Sequence, residues 1–382
     1  MKFRTRAIHD GNTIDPATGA VVPPIHVAST FRQPAAGEWG QFDYSRSGNP
    51  TRSNLQATLT SLEGASGSLA FSTGMAATHC VTMLFGAGDH IVAGKDIYGG
   101  TYRLLHKICN RSDISVTLVD MTDLEQVASA IRPNTRLVWG ETIGNPLFSI
   151  PDLKALSELT HANNALLGVD NTFGTPVLVR PLEFGVDIVM HSATKYLGGH
   201  SDCLGGTLSV ADRDLFDRLY FIQNATGAVL DPFSSFLVAR GLKTLDIRMR
   251  AQSQTAAELA VWLSNHPSVQ RVLYPGLPSH PGHELATEQF AGLYGAMLGF
   301  EFKGDYQQTV KMVGGTRLFH LAVSLGAVES LIEQPASMSH ASYDAADRAK
   351  AGIADTLVRL SVGLEDIDDL KEDLEQAMQA AK

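Results

Sequence analysis

The feature that most constrains the fold is a regular alternation of short apolar runs and helix-like segments between residues 90 and 192. Each apolar run is rich in Val, Ile and Leu and is bounded by Gly, Asp or Pro. The runs are HIVAG (90–94), ISVTLVD (114–120), RLVWGET (136–142), ALLGVD (165–170) and VDIVMHS (186–192). Strands that alternate with helices in this way are typical of βαβ units. The pattern therefore predicts an α/β fold with a mostly parallel central sheet, covered by helices on both faces.

The chain is 382 residues long, which is enough for more than one domain. Residues 1–57 are rich in Gly, Pro, Ser and Arg and show little helical period, so we predict an extended arm without a core of its own. Residues 58–245 contain the alternating pattern and are predicted to form a large α/β domain. Over residues 246–382 a long helix, short strands and a helical tail predict a smaller α+β domain.

Composition excludes several classes of protein. Lys and Arg total 30 against 40 Asp and Glu, a formal charge of −10, which argues against a protein that coats nucleic acid. No apolar run approaches the ~20 residues that span a bilayer, and the charged start MKFRTRAIHDGN lacks the apolar stretch of a secretory signal. Three scattered cysteines without CxxC spacing indicate neither a disulfide framework nor a zinc site. We expect a cytoplasmic protein with no metal and no membrane partner.

Polar residues follow three consecutive predicted strands. Glu141, Asp170 and the stretch HSATKY (191–196) lie at or near strand carboxyl ends, where open α/β sheets bind ligands. Lys195 in that stretch is a candidate nucleophile, and the natural covalent partner of a lysine amine is an aldehyde. Pyridoxal phosphate carries such an aldehyde, together with a phosphate and a ring nitrogen that works best when protonated.

The sequence offers a binding site for the phosphate of this cofactor. STGM (72–75) opens a predicted helix, whose free N–H groups at Gly74 and Met75 can bind an anion. The hydroxyls of Ser192 and Thr194, two residues apart at a strand exit, can add donors. Taken alone, STGM is more typical of an ordinary helix cap than of a phosphate site.

The ring of the cofactor has candidate partners too. Asp170 can pair with the ring nitrogen and keep it cationic, and Tyr98 can provide an aromatic surface for the ring. The plainer explanations are an Asx-turn at a strand end for Asp170 and a half-buried core tyrosine for Tyr98.

Eight motifs resemble the pyridoxal-phosphate-dependent enzymes of Cys/Met metabolism, in the order found in that family. They are YSRSGNPTR (44–52), STGMAA (72–77), YGGTYR (98–103), ETIGNP (141–146), VDNTF (169–173), HSATKYLGGHSD (191–202), SLGAVESLIEQPASMSH (324–340) and VRLSVGLED (358–366). The resemblance covers nearly the whole chain. It implies the fold of the aspartate-aminotransferase-type (fold type I) enzymes and pyridoxal 5'-phosphate as cofactor.

The resemblance also implies roles for individual residues. Lys195 would hold the cofactor covalently and, once released, take the Cα proton of the substrate. Tyr98 would stack on the ring and protonate the departing sulfur. Arg359 would bind the substrate α-carboxylate, with Asn145 and the Ser324 region assisting. The residues implied to bind the cofactor are Tyr44, Arg46, Gly74, Met75, Tyr98, Asp170, Ser192, Thr194 and Lys195.

The same resemblance implies a function for the N-terminal arm. Tyr44 and Arg46 would reach the cofactor phosphate of a neighbouring subunit, which explains an arm with no core. Since such a site cannot exist in a monomer, the resemblance implies a homo-oligomer, a dimer that is usually paired into a homotetramer.

Four charged residues are candidates for contacts with an amino-acid substrate. Arg103, five residues after Tyr98, could pair with a second carboxylate at the far end of cystathionine, and Glu333 and Asp43 could receive its distal ammonium. Glu141 is a further candidate at its strand end. A helix-end charge for Arg103 and a surface acid flanking a helix for Glu333 are the plainer explanations.

Three further positions bear on the reaction. Gly100 stands where methionine γ-lyases typically carry Cys, Ser47 where some synthases carry a second Arg, and Leu325 where one group of β-lyases carries Trp. The resemblance therefore favours γ-elimination of L-cystathionine to L-cysteine, 2-oxobutanoate and ammonia. Open alternatives are cystathionine γ-synthase, methionine γ-lyase, cystathionine β-lyase and a binding protein of this fold without turnover.

Overall fold

The larger of two sheets contains seven strands. A computed structural model describes residues 1–339, 348 and 352–382 of the chain. The strands are β1 (Gly67–Phe71), β2 (His90–Gly94), β3 (Ser115–Val119), β4 (Thr135–Glu141), β5 (Leu166–Asp170), β6 (Ile188–His191) and β7 (Gly206–Val210). They lie in the order β1-β7-β6-β5-β4-β2-β3. The five strands from β6 to β3 run parallel, and β7 is antiparallel to both β1 and β6.

The predicted α/β fold with a mostly parallel sheet is confirmed, and each of the five predicted strands is present within two residues of its predicted ends. Sequence reasoning missed β1 and β7. These two strands pair with each other, and Ser68 and Ser209 face one another with their hydroxyl oxygens 2.7 Å apart. Small polar residues in the middle of GSLAF and GTLSV interrupt the apolar runs that identified the other strands.

Helices cover both faces of this sheet. In chain order they are α1 (Phe3–His9), α2 (Pro50–Glu63), α3 (Gly74–Thr82), α4 (Gly99–Arg103), α5 (Leu124–Ala130), α6 (Leu153–Ala162), α7 (Thr175–Leu178), α8 (Arg213–Thr226) and α9 (Pro232–Leu242). Leu55, Leu59 and Leu62 of α2 pack on one face of the sheet, whereas α3 and α8 pack on the other. Within the described parts of the chain, no helix is long and apolar enough to cross a membrane.

The long helix predicted from residue 246 is α10 (Leu245–Ser264), and it leads into a second, five-stranded sheet. The further elements are β8 (Val269–Leu273), α11 (His283–Gln289), β9 (Met297–Phe302), α12 (Tyr306–Val313), β10 (His320–Leu321), β11 (Leu331–Glu333), β12 (Leu357–Ser361) and α13 (Ile367–Ala381). The strand order is β10-β11-β12-β9-β8. One apolar cluster joins the α2 face of the large sheet to α10 and the second sheet. The division at residue 245 therefore stays a prediction.

The N-terminal arm differs from the prediction at both ends, because α1 lies at its start and its predicted end at residue 57 falls inside α2. Asn49 begins α2 as a cap, accepting a hydrogen bond from the Thr51 N–H at 3.0 Å, and Pro50 occupies the first helical position. The same Asn49 side chain donates to the His26 carbonyl at 2.8 Å. This buried amide fastens the middle of the arm to the start of α2.

Candidate active site

A cavity of about 480 Å³ lies where β4, β5 and β6 end, facing the second sheet. Most of the residues that the sequence singled out line it. These are Gly74, Met75, Tyr98, Arg103, Glu141, Asn145, Asp170, Ser192, Thr194, Lys195, Ser324, Glu333 and Arg359. The expected convergence at strand ends therefore occurs, since Glu141 and Asp170 are the last residues of β4 and β5 and Ser192 follows β6.

Lys195 lies in the loop after β6, with its amine turned into the cavity. Its Nζ donates a hydrogen bond to Ser324 Oγ at 2.5 Å. Burial, assisted by the nearby charge of Arg359, lowers the pKa of Lys195 to about 8. Ser324 has a φ of 100°, a backbone conformation that is costly for a residue with a side chain and that clusters at functional sites. The site thus holds a partly neutral, oriented amine near neutral pH.

Asp170 presents a buried carboxylate to the same cavity. Its Oδ1 accepts a hydrogen bond from the Thr172 N–H at 2.9 Å, and the Thr172 hydroxyl accepts one from the Ser192 N–H at 2.8 Å. Burial raises the pKa of Asp170, while hydrogen bonds from the Thr172 side chain and N–H and the charges of His191 and Lys195 oppose the rise. A cationic ring nitrogen beside this carboxylate would stabilise its charged form.

The N-terminus of α3 lies against the exit of β6. Thr73 caps the helix by accepting a hydrogen bond from the Ala76 N–H at 3.0 Å. A Cβ at Gly74 would lie 3.1 Å from Ser192 Cβ, so glycine lets the helix end approach the strand closely. The Thr194 hydroxyl accepts from the Gly205 N–H at 3.1 Å. These elements bring free helix N–H groups and the Ser192 hydroxyl to one end of the cavity.

Arg359 and Glu333 form the opposite end. The two residues face each other in register on β12 and β11, and Arg359 Nη1 lies 3.1 Å from Glu333 Oε1. Arg359 also donates to Asn145 Oδ1 and to the Ser324 carbonyl, both at 3.0 Å, and the Ser339 hydroxyl donates to Glu333 at 2.7 Å. The interpretation of Glu333 as a surface acid is wrong, because its side chain is 1% exposed.

Tyr98 and Glu141 meet through the backbone. The Tyr98 N–H donates to Glu141 Oε1 at 2.6 Å, and the Tyr98 side chain is 46% exposed at the cavity. Burial, and next the charge of Asp170, raise the pKa of Glu141 well above its usual value. Arg103 lies at the end of α4 and is exposed where it lines the cavity. Glu141 therefore holds the segment that carries Tyr98. The sequence did not reveal this contact between Glu141 and the Tyr98 N–H.

The arm residues lie outside this cavity. Asp43 accepts a hydrogen bond from the Tyr44 N–H at 2.6 Å, and the Arg46 guanidinium lies 5.5 Å from the centre of the Tyr44 ring. Arg46 also donates to Asn224 Oδ1 of α8 at 3.4 Å. Within one chain, none of these three residues lines the cavity that contains Lys195.

Sequence reasoning missed several residues that line the cavity. They are Thr73, Gly99, Ile143, Thr172, Phe173, Met190, Leu204, Val323, Met338 and Ser339. Thr73 and Thr172 could have been found, because one precedes a helix start and the other lies two residues after Asp170. The apolar residues from loops carry no local signal. His340, the last residue of the motif that begins at Ser324, lies outside the described residues.

The residues present fit a phosphorylated aldehyde with a cationic ring nitrogen. The buried amine of Lys195 matches the aldehyde, the buried carboxylate of Asp170 matches the ring nitrogen, and the close approach of the α3 N-terminus to Ser192 matches the phosphate. Such a donor set is that of pyridoxal-phosphate proteins.

Comparison with known proteins gives the family. The model of the "Cys/Met metabolism PLP-dependent enzyme" family matches residues 4–379. The chain is 50% identical over 379 residues to cystathionine gamma-lyase of Bacillus subtilis, covering 99% of this chain and 100% of that protein. It is also 50% identical over 376 residues to cystathionine gamma-synthase of Mycobacterium bovis, covering 98% and 96%. The chain belongs to the Cys/Met metabolism family of pyridoxal-phosphate-dependent enzymes.

A solved structure agrees. The crystal structure of cystathionine gamma-lyase from Lactobacillus plantarum, complexed with L-serine, superposes with a TM-score of 0.97 at 44% identity, covering 100% of this chain and 99% of that one. Relatives at about 50% identity are divided among γ-lyases, γ-synthases and β-lyases. The protein is a pyridoxal-phosphate-dependent trans-sulfuration enzyme of cysteine and methionine metabolism.

Proposed function

We propose that this enzyme is a cystathionine γ-lyase, which converts L-cystathionine and water to L-cysteine, 2-oxobutanoate and ammonia. The observation that carries the proposal is Glu333, whose carboxylate lines the cavity of Lys195 and whose Oε2 has no hydrogen-bond partner among the described residues. Cystathionine carries an ammonium group at each end, so a buried acid on the substrate side suits it. The similar γ-lyases from Bacillus subtilis and Lactobacillus plantarum support the same assignment.

We assign the binding of the substrate carboxylates to two arginines. Arg359 presents its guanidinium to the cavity, and Asn145 and the Ser324 carbonyl hold its orientation at 3.0 Å each. A fixed guanidinium binds a carboxylate through two parallel hydrogen bonds. Arg103 has no acidic partner among the described residues and lines the same cavity, so it is available for the distal carboxylate.

The proton transfers are assigned to Lys195 and Tyr98. When bound, pyridoxal phosphate supplies an electron sink that stabilises negative charge at the substrate Cα. The Lys195 amine, whose pKa burial lowers to about 8, would take the Cα proton and return it at another carbon of the substrate–cofactor pair; neutral again, it would then take the Cβ proton whose loss elimination at Cγ requires. Ser324 Oγ orients this amine from 2.5 Å. The Tyr98 hydroxyl protonates the departing sulfur.

We further propose that a neighbouring copy of the chain completes the site through its arm, in a dimer that pairs into a tetramer. Tyr44 is 47% exposed, and the arm exposes several large apolar side chains besides. These are Val21, Val22, Val27 and Trp39. Exposed apolar surface of this extent on one segment is typical of an interaction surface.

Product identification tests the reaction. We expect purified enzyme with L-cystathionine to yield cysteine and 2-oxobutanoate in equal amounts. Homocysteine with pyruvate would instead identify a β-lyase. Efficient formation of cystathionine from an O-acylhomoserine and cysteine, with negligible cleavage, would identify a γ-synthase, the activity named for the similar mycobacterial protein.

A variant tests the role of the acid. Glu333→Gln keeps the shape and one hydrogen-bond acceptor but removes the charge. We expect its kcat/KM for cystathionine to fall about tenfold more than its kcat/KM for an O-acylhomoserine, which has no distal ammonium. Equal losses for both substrates would mean that Glu333 acts only through Arg359, its ion-pair partner at 3.1 Å.

A further inference from the structure

A buried histidine–glutamate pair lies behind the active site and takes no part in the chemistry described so far. His191 Nε2 lies 2.5 Å from Glu63 Oε1, and the two side chains are 1% and 0% exposed. His191 immediately precedes the segment of Ser192 and Lys195, while Glu63 is the last residue of α2. His191 Nδ1 and Glu63 Oε2 have no hydrogen-bond partner among the described residues.

The register of the sheet places this pair directly behind Asp170. Asp170 is opposite Met190 on the neighbouring parallel strand, and both residues line the cavity. Side chains alternate between the two faces of a strand, so His191 projects to the opposite face, where α2 packs. Asp170 and His191 are therefore separated by one layer of backbone at the ends of adjacent strands, which lie about 5 Å apart.

The position of Glu63 calls for a positively charged partner. A carboxylate at the end of a helix meets the negative end of the helix dipole, and the last turn of α2 contains no basic residue. Burial without a cationic partner would add a large desolvation cost. His191 is the side chain that faces Glu63 Oε1, and it lies at the strand ends while Glu63 lies farther away on α2.

We infer that Glu63 and His191 are positioning residues that hold a positive charge behind Asp170, so that this carboxylate stays ionised and ready to pair with the cofactor ring nitrogen. The charge of His191 is among the influences that lower the pKa of Asp170 against the effect of burial. Because both sites are buried, solvent screens their interaction little. The inference depends on the cofactor of the family and not on which trans-sulfuration reaction the enzyme performs.

The test uses cofactor binding to the full-length protein. Cofactor is removed, and the apoprotein is titrated with pyridoxal phosphate or with an analogue whose ring nitrogen is replaced by carbon. Three variants are compared with the wild type: Glu63→Gln, His191→Gln and the double variant. We expect each to bind pyridoxal phosphate about tenfold more weakly, equivalent to one pKa unit at Asp170. Affinity for the analogue should change by less than about twofold, because the analogue offers Asp170 no cation.

His90→Gln is the matched control. His90 is a buried histidine of the same sheet, bonded to the hydroxyls of Thr135 at 2.8 Å and Thr117 at 2.9 Å, but at the start of β2, away from Asp170. We expect this variant to keep wild-type affinity for both compounds, whatever its melting temperature.

Two results would overturn the inference. One is equal loss, or no loss, of affinity for pyridoxal phosphate and its analogue in the folded variants. The other is failure of the double variant to fold, since two neutral amides can still hydrogen-bond to each other there. That failure would assign the pair to the scaffold alone.

Discussion

The wall of the cavity and the N-terminal arm differ in how far a single chain can organise them. Lys195, Ser324 and Arg359 are far apart in sequence, yet their hydrogen bonds fix each other in a partly buried site. Tyr44 and Arg46 instead have exposed side chains and contact mainly each other and α8. The first region is pre-organised by one chain, whereas the second has the properties of a surface that awaits a partner.

The largest effect should follow loss of the central amine. Lys195→Ala removes both the covalent attachment point and the base, so we expect kcat to fall by about 10⁴-fold or more. Measuring 2-oxobutanoate release from cystathionine checks this, and far-ultraviolet circular dichroism controls for folding. Turnover near the wild-type level would refute the assignment of Lys195.

The second-largest effect should follow a change at Arg359, which we propose binds the substrate α-carboxylate. Arg359→Lys keeps a positive charge but loses the planar fork and one of its fixed contacts with Asn145 or Ser324. Since charge-assisted hydrogen bonds contribute about 1.5–3 kcal/mol, we expect kcat/KM to fall roughly ten- to a hundredfold, mainly through KM. Arg271 of β8 pairs with Glu301 of β9, and Arg271→Lys is a control that should leave the kinetics unchanged. A comparable loss in both variants would contradict the role of Arg359.

Loss of Arg46 from the arm should have a smaller effect, and mixing two variants should partly reverse it. Arg46→Ala removes a cation that we propose reaches a neighbouring copy's phosphate, so cofactor affinity should fall about tenfold. Mixing this variant with Lys195→Ala and allowing subunits to exchange should raise activity above the sum of the two, because one site in each mixed dimer regains both residues. No gain after verified exchange would show that the arm acts within its own chain.

The same contrast separates what the sequence could predict from what it could not. Apolar runs such as HIVAG predicted five strands, and polar residues at their ends predicted where Glu141, Asp170 and Lys195 meet, because strand ends converge by topology. The strands around Ser68 and Ser209 were missed, since their burial depends on neighbours distant in the chain.

Contacts between individual pairs of residues could not be predicted from the sequence for a similar reason. The pairing of Glu333 with Arg359 depends on the register of β11 against β12, which no local pattern encodes. The resemblance to a known family supplied candidate residues but not their partners. Contacts such as Tyr98 with Glu141 follow only from the folded chain.

The pH dependence of cofactor binding by Lys195 tests whether its amine is buried as the structure shows. The neutral amine attacks the aldehyde, and the pKa of Lys195 is about 8, so roughly a tenth of the amines are neutral at pH 7. The capture rate should therefore rise with pH and level off above pH 8. Arg359→Met removes a nearby positive charge and should shift the rise to higher pH. Stopped-flow absorbance measures both curves, and a rise that continues to pH 10 in the wild type would contradict the buried site.

The smallest effect on kcat/KM should come from Glu141→Gln, although Glu141 lines the cavity beside Asp170 and Tyr98. Burial and the charge of Asp170 raise its pKa well above its usual value, which favours the neutral carboxyl. Its Oε1 needs only to accept the Tyr98 N–H at 2.6 Å, and an amide oxygen can do the same. Glu141→Gln should therefore change kcat/KM by less than about threefold. Glu141→Ala leaves the Tyr98 N–H without its partner and should lower the free energy of unfolding by about 1 kcal/mol. A large loss in the glutamine variant would show that the charged carboxylate is required, and would make Glu141 part of the chemistry rather than a support for Tyr98.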